Sequence, residues 1–344
     1  MSKCIATIFL LILSPRAVLF AQSSTETQSS EREIPVLTGA GGFLSDFQKG
    51  QQTFGPKFEP VLLFPLGSRF LIEAEYSTEL PVERDNGVLG PAVYNHSFEY
   101  AQLDYSATSF LTIVAGYFAT PFGIYKERID PLWIRNLLDA PLLTPINDNS
   151  SDGVMIRGAI PLNEGFELKY EASEAANVTN LQFPSTHQSS NRLALFLPSK
   201  RLEVGASYGR ILGRGGYNIY GFDVSWKPNR LPLDVRGEGL WSAPLGKGYW
   251  LEAAYRFTGA SSGFLRRSQA VIRGEQFYAT SQTADLNADL PSENTYRVTL
   301  GWNYWVKDFL RFNVAYARRV DSQPQNVATL GVVYFFNQPV WKQR

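Results

Sequence analysis

The chain has few of the residues that usually build reactive centres. Its 344 residues include one cysteine, Cys4, and two histidines, His96 and His187. Cys4 lies within a predicted signal peptide, so we expect the mature chain to contain no disulfide, no thiol nucleophile and no cysteine-ligated metal. Neither histidine has the spacing of a metal ligand or of a base beside a nucleophile, and both are predicted to be exposed. We therefore expect no cofactor and no metal.

An excess of charge and a long apolar run are also absent. The 32 Lys and Arg residues balance the 32 Asp and Glu residues, so the chain lacks the basic excess that is typical of nucleic-acid binding. A spanning helix needs about 20 apolar residues, and the first apolar run, 4–13, is shorter. This run follows a short charged start and precedes Ala21. The pattern predicts a cleaved signal peptide over 1–21 and a single mature domain over 22–344.

Aromatic residues, in contrast, are abundant. They make up 14% of the chain, although its mean hydropathy is slightly below zero. In the segment 296–304 the even positions are apolar or aromatic and the odd positions are polar or small. This alternation is typical of a β-strand with one face toward an apolar medium and the other toward water.

The alternation recurs in sixteen segments. Their length, about ten residues, suits a tilted strand that crosses a bilayer, whereas ordinary strands have about five or six residues. A soluble β-sandwich would also alternate, but the strand length favours a barrel. The predicted strands are 35–45, 57–64, 69–79, 95–107, 109–118, 152–160, 165–174, 190–197, 201–211, 217–227, 231–242, 248–258, 267–279, 293–305, 309–319 and 325–336.

The lengths of the connections give a second indication of a barrel. The long connections, 80–94, 119–151, 175–189 and 280–292, all follow odd-numbered strands, and the tight turns follow even-numbered ones. Outer-membrane barrels have short periplasmic turns and long outer loops. The sequence thus predicts an all-β fold, a transmembrane antiparallel β-barrel of about 16 strands in the bacterial outer membrane, exported through the periplasm.

Two segments resemble a known porin family. Residues 116–123, Gly-Tyr-Phe-Ala-Thr-Pro-Phe-Gly, resemble the Gly-x-Phe-x-x-Pro-Phe-Gly stretch of phosphate-selective (O/P type) porins. Residues 271–277, Val-Ile-Arg-Gly-Glu-Gln-Phe, resemble a late strand of the same family. The resemblance implies a sixteen-stranded barrel, often a homotrimer, through which small solutes diffuse passively across the outer-membrane lipid. It does not by itself imply phosphate as the solute.

The longest connection, 119–151, is the candidate constriction loop. In general porins the third outer loop narrows the channel, and this loop holds the same position; a cap over the outer mouth is the alternative. With Asp148, its charged residues are three bases and four acids, which disfavours strong phosphate selectivity because a dianion needs a dense set of donors. The candidate constriction residues are Lys126, Glu127, Arg128, Asp130, Arg135 and Asp139.

Charged side chains on the inner face are the other candidates, because charged rings set the selectivity of a channel. Strand parity places a basic wall on four consecutive strands and acids on the third, fourth and seventh strands. This arrangement predicts a field across the channel and a mild preference for anions, unless the charges only pair and solvate the wall. The predicted basic residues are Arg256, Arg273, Arg297 and Arg311, and the predicted acids are Glu73, Glu75, Asp104, Glu167 and Glu171.

Two other functions are compatible with a barrel. A structural or adhesive barrel plugged by its own loop would not conduct. A barrel hydrolase would need a serine nucleophile, and residues 259–263, Gly-Ala-Ser-Ser-Gly, match the Gly-x-Ser-x-Gly pattern. That pattern works on a strand-turn-helix unit, whereas this segment is predicted to be a turn between two strands. We therefore expect no enzymatic activity.

Overall fold

A computed structural model describes residues 34–147, 149–163, 165–213 and 215–340. The predicted signal peptide lies outside the described residues. The described part is dominated by strands. They are β1 (Val36–Gln48), β2 (Gln51–Leu66), β3 (Phe70–Glu79), β4 (Val82–Asp85), β5 (Val88–Ala92), β6 (Asn95–Thr108), β7 (Leu111–Ala119), β8 (Ser150–Asn163), β9 (Phe166–Ala175), β10 (Gln188–Leu197), β11 (Leu202–Ile211), β12 (Asn218–Trp226), β13 (Leu233–Ser242), β14 (Gly246–Arg256), β15 (Ser268–Tyr278), β16 (Thr295–Lys307), β17 (Leu310–Val320) and β18 (Gln325–Pro339).

Sixteen of these strands form a closed antiparallel barrel. Each pairs with its neighbours along the chain, and β1 closes the sheet by pairing with both β2 and β18. The remaining two, β4 and β5, form a hairpin that continues the sheet beyond β3, where β4 pairs with the first residues of β2. The predicted all-β barrel of about sixteen strands is therefore confirmed, and each predicted strand coincides with one barrel strand.

The alternation in the sequence has its predicted structural meaning, as β17 shows. The side chains of Arg311 and Asn313 are buried inside the barrel, whereas Phe312, Val314 and Tyr316 face outward with 44%, 51% and 49% of their surface exposed. Successive side chains of a strand point to opposite faces of the sheet. The inner face of β17 is thus polar and its outer face apolar, as the alternation predicts.

The connections follow the predicted division into short turns and long loops, with exceptions at both ends of the barrel. Residues 49–50 join β1 and β2 by a tight turn at the long-loop end, whereas the connection between β14 and β15 at the short-turn end runs over 257–267. The segment 80–94, expected to be a loop, contains the β4–β5 hairpin. We call the two ends of the barrel the long-loop end and the short-turn end.

Helices are few and short in the described residues. They are α1 (Thr144–Asn147), α2 (Gly263–Arg266), α3 (Thr283–Leu286), a π-helical turn (Tyr125–Ile129) and a 3-10 turn (Pro198–Lys200). Within the described part of the chain, no helix is long and apolar enough to cross a membrane.

Candidate functional site

The longest connection enters the barrel directly after β7. We call residues 120–149 the inner loop; Asp148 lies outside its described part. Thr120 and Ser151 join the two ends of the loop by a hydroxyl contact of 2.7 Å. Gly123 has a φ of 66°, a left-handed conformation that favours glycine, and its N–H donates to the Ser207 hydroxyl of β11 at 3.0 Å. The segment that resembles the porin motif thus turns the chain away from β7 and toward β11.

Buried carboxylates on the wall hold the backbone of the inner loop. Each accepts hydrogen bonds from main-chain N–H groups of the loop, and each is at most 3% exposed. Their strands are β2, β13 and β15, whereas the loop begins at β7 and ends at β8, so the loop must cross the interior of the barrel. Glu59 of β2 accepts from Leu132 at 2.8 Å, Glu238 of β13 accepts from Ile124 and from Tyr125 at 2.7 Å, and Glu275 of β15 accepts from Leu142 at 2.7 Å.

Three of the four predicted basic wall residues also bind the inner loop. They donate to its carbonyl oxygens: Arg273 to Asp139 at 3.1 Å, Arg297 to Ala140, and Arg311 to Leu132 at 3.0 Å. Arg273 and Arg297 in addition pair with Glu275 at 2.7 and 2.9 Å. Arg256 differs, because it lies over the ring of Trp305 and does not contact the loop through a hydrogen bond in the described residues.

Glycines on the inner face provide notches for apolar side chains of the loop. At Gly301 an added Cβ would overlap the side chain of Leu137, and at Gly331 it would overlap that of Leu138. A separate buried cluster packs other apolar side chains of the loop around Phe277 and Trp250. A glycine inside a strand often marks the close approach of another chain segment, and here that segment is the inner loop.

Replacing Gly301 by leucine should therefore release the inner loop. The added side chain would occupy the space of Leu137, and overpacking of this kind typically costs about 1–3 kcal/mol. We expect faster cleavage by trypsin after Arg128 or Arg135 in the folded protein. Gly274→Leu on β15 is the matched control, because a Cβ there meets no atom within 4 Å. Equal cleavage of both variants would argue against this packing role.

Three of the five predicted acids join a second set of ion pairs on the other wall. Asp104 pairs with Arg157, which also approaches Glu73 at 3.9 Å, and Glu171 pairs with Arg128 of the inner loop at 3.3 Å. Glu75 is 4% exposed. Glu167 is half-buried and forms no ion pair in the described part of the chain.

Several charged residues that the sequence analysis did not select complete this wall. Arg192 is 1% exposed and binds Asp223 at 2.7 Å and Glu203 at 2.8 Å. All three have the inward parity of their strands, so parity could have identified them. Their mutual pairing could not have been read from the sequence, because it depends on the register between strands.

The charges of the inner loop are largely paired. Lys126 contacts Glu99 at 2.6 Å and Asp130 at 3.5 Å, and Arg135 also pairs with Asp130. Burial opposes ionisation of Asp130, but Arg135, Lys126 and Lys57 outweigh it and lower the pKa of Asp130 below its usual value. The resulting stabilisation is present above the ordinary pKa of an aspartate and is lost only as the pH falls through the lower, folded-state pKa.

A polar cavity remains between the inner loop and the wall formed by β3, β6 and β8. Its volume is about 250 Å³. Five acids and two bases line it, so its surroundings carry a negative excess. The acids are Glu73, Glu75, Glu99, Glu127 and Asp130, and the bases are Lys126 and Arg157.

The residues considered for catalysis are not assembled into a site. His96 and His187 are exposed, and His187 lies beside Glu174 at 3.3 Å. The segment 259–263 lies between β14 and β15, where it leads into the four-residue helix α2. Among the described residues, no group of three or more His, Cys, Asp or Glu side chains could hold a metal ion.

The structure defines a class: a closed sixteen-stranded antiparallel barrel with a long loop folded across its interior. Solved outer-membrane barrels share this fold. The chain is similar to OmpT of Vibrio cholerae, an outer membrane protein folded in vitro, with 10% identity over 89% of this chain and 99% of that one and a TM-score of 0.57. It is also similar to the anion-selective porin of Comamonas acidovorans, with 10% identity, coverage of 88% and 99% and a TM-score of 0.54. A mutant Rh. blastica porin is 12% identical over 88% of this chain and 100% of that one, with a TM-score of 0.51. No family model and no curated protein matches the chain.

Proposed function

We propose that this chain is a porin of the bacterial outer membrane, through which small hydrophilic solutes diffuse passively. The observation that carries the proposal is the inner loop, which crosses the interior of the barrel and leaves a polar cavity on one side. A sixteen-stranded barrel without such a loop has an aqueous lumen. The loop therefore narrows a channel that the barrel provides.

The outer surface supports a membrane location. Exposed Leu, Val, Phe, Tyr and Trp side chains occur on strands all around the barrel, and a monomeric soluble protein rarely exposes large apolar patches. The predicted signal peptide 1–21 and export through the periplasm fit this location. The predicted homotrimer and the resemblance to phosphate-selective porins remain part of the proposal, with outer-membrane lipid as the surroundings.

We attribute the mild anion preference predicted from the sequence to the short-turn end. Arg273 and Arg297 share the carboxylate of Glu275, so their charge is largely compensated. Arg256 and Arg311 have no carboxylate partner among the described residues. The acid-rich cavity beside the inner loop opposes anions, which keeps the preference mild.

A plugged, non-conducting barrel is the second candidate. It is favoured by the number of walls that the inner loop contacts, because each contact reduces the open cross-section. Catalysis is not part of either proposal.

Single-channel recording in planar lipid bilayers distinguishes the two. We expect the purified protein to produce stepwise increases of conductance in KCl solution, because the polar cavity beside the inner loop can admit hydrated ions. A heat-unfolded sample of the same preparation is the control for leaks. Absence of steps at every applied voltage, from protein shown to be folded, would reject the porin and leave the plugged barrel.

A further inference from the structure

A small aromatic cavity lies at the short-turn end of the lumen. Its volume is about 220 Å³, and its lining includes Trp133 of the inner loop, Trp305 of β16 and Phe335 of β18, together with Arg311 and Asp308. The rings of Trp133 and Phe335 are 6.2 Å apart between centroids. Trp305 belongs to β16 and Asp308 to the turn that follows it, and this cavity shares no lining residue with the acid-rich cavity beside β3, β6 and β8.

Two arginines beside this cavity lack acidic partners. The Cζ atoms of Arg256 and Arg311 lie 4.3 and 5.7 Å from the ring centroid of Trp305. Arg311 is only 6% exposed and donates to neutral acceptors, the side chain of Asn313 at 3.2 Å and the carbonyl of Leu132 at 3.0 Å. The Nε atom of Arg256 is buried without a hydrogen-bond partner. Within the described residues no carboxylate pairs with either guanidinium.

Positive charge that is removed from water without a counter-charge is unfavourable. Elsewhere on the wall, ion pairs with carboxylates compensate the charges of Arg273 and Arg192. Arg256 and Arg311 have no such ion pair in the described residues. An anion that enters from the lumen would supply the missing charge. The aromatic side chains favour an anion that also carries an apolar ring, because rings pack against one another at centroid distances of about 4.5–7 Å.

We propose that this cavity binds a small cyclic monocarboxylate, with the carboxylate toward Arg311 and the ring against Trp133 and Trp305. Charge-assisted hydrogen bonds from a guanidinium suit a carboxylate. The cavity is smaller than the roughly 300–1,000 Å³ of sites for drug-sized ligands, so it fits a single ring. Asp308 in the lining disfavours a second negative charge on the ligand. This inference rests on the proposed porin function, because the ligand reaches the cavity through the lumen.

Benzoate is the probe that tests the site. In planar bilayers we expect benzoate to interrupt the KCl current of the protein in a concentration-dependent manner. Acetate, which has the charge without the ring, and benzyl alcohol, which has the ring without the charge, should interrupt it far less at the same concentration. Phthalate, with two carboxylates, should also be weaker than benzoate.

Substitutions locate the effect. Arg311→Gln and Trp305→Leu should each weaken benzoate binding several-fold, whereas Arg319→Gln, on the same strand but paired with Asp321, should leave it unchanged. Quenching of tryptophan fluorescence by benzoate, measured on the folded protein in detergent, compares benzoate binding by these variants independently of conductance. Benzoate that acts no better than acetate, or that binds both variants normally, would overturn the site. Conductance without benzoate binding rejects this site alone, and binding without conductance rejects the porin.

Discussion

Replacing residues 131–141 of the inner loop by a Gly/Ser linker of equal length should raise the single-channel conductance several-fold. The replaced segment supplies the backbone and side chains that contact Glu59, Arg273 and Arg311 on the wall. A Gly/Ser linker keeps the reach of the chain but behaves as a flexible coil, so the segment would no longer be held across the lumen. The wall charges released in this way would be hydrated by the widened channel.

The control is the same kind of replacement over 176–184, in the connection between β9 and β10. That connection lies at the long-loop end and makes no hydrogen bond to the inner loop in the described part of the chain. We expect its conductance to equal that of the unaltered protein. If the linker variant of the inner loop also conducts normally, although protease cleavage shows that the loop is released, then the inner loop is not the constriction.

The barrel could be predicted because each strand carries its own alternating pattern of apolar and polar residues. Alternation within one segment sets which face of a strand is apolar, and β16 and β17 carry that pattern without reference to any other segment. The β4–β5 hairpin was missed although a signal existed. Asn86 and Gly87 both have positive φ, and an Asn-Gly pair is the strongest short-range indication of a tight hairpin turn.

The contacts of the inner loop with the wall could not be predicted from a local pattern in the sequence. Strand parity places Arg273 and Arg311 on the inner face. It does not identify the loop atoms that they bind, because the path of a thirty-residue loop depends on contacts with distant strands. Glu59 and Glu238 were not selected for the same reason. The glycines at 301 and 331 were an available indication, since each interrupts a strand on its inner face where the loop approaches.

Glu275→Ala should cause the largest loss of stability of any single substitution considered. Glu275 is 1% exposed and accepts hydrogen bonds from Arg273 at 2.7 Å, from Arg297 at 3.0 Å and from the N–H of Leu142 at 2.7 Å. Removing one partner of a buried ion pair costs about 3–5 kcal/mol, because the remaining charge is left buried. We expect a clear fall in the temperature at which the folded barrel unfolds in detergent, followed by tryptophan fluorescence.

Two further variants test whether the negative charge of Glu275 is responsible and whether the loss of any acid on the wall would have the same effect. Glu275→Gln keeps an acceptor for Leu142 but removes the negative charge, so its unfolding temperature should lie between those of Glu275→Ala and the unaltered protein. Glu167→Ala removes a half-buried acid that forms no ion pair in the described residues, so we expect a much smaller fall in the unfolding temperature. Equal unfolding temperatures for Glu275→Ala and Glu167→Ala would mean that the carboxylate does not hold the inner loop to the wall. If only the Glu275 variants have a lower unfolding temperature and their conductance is also increased, then this carboxylate determines both the stability of the loop and the width of the channel.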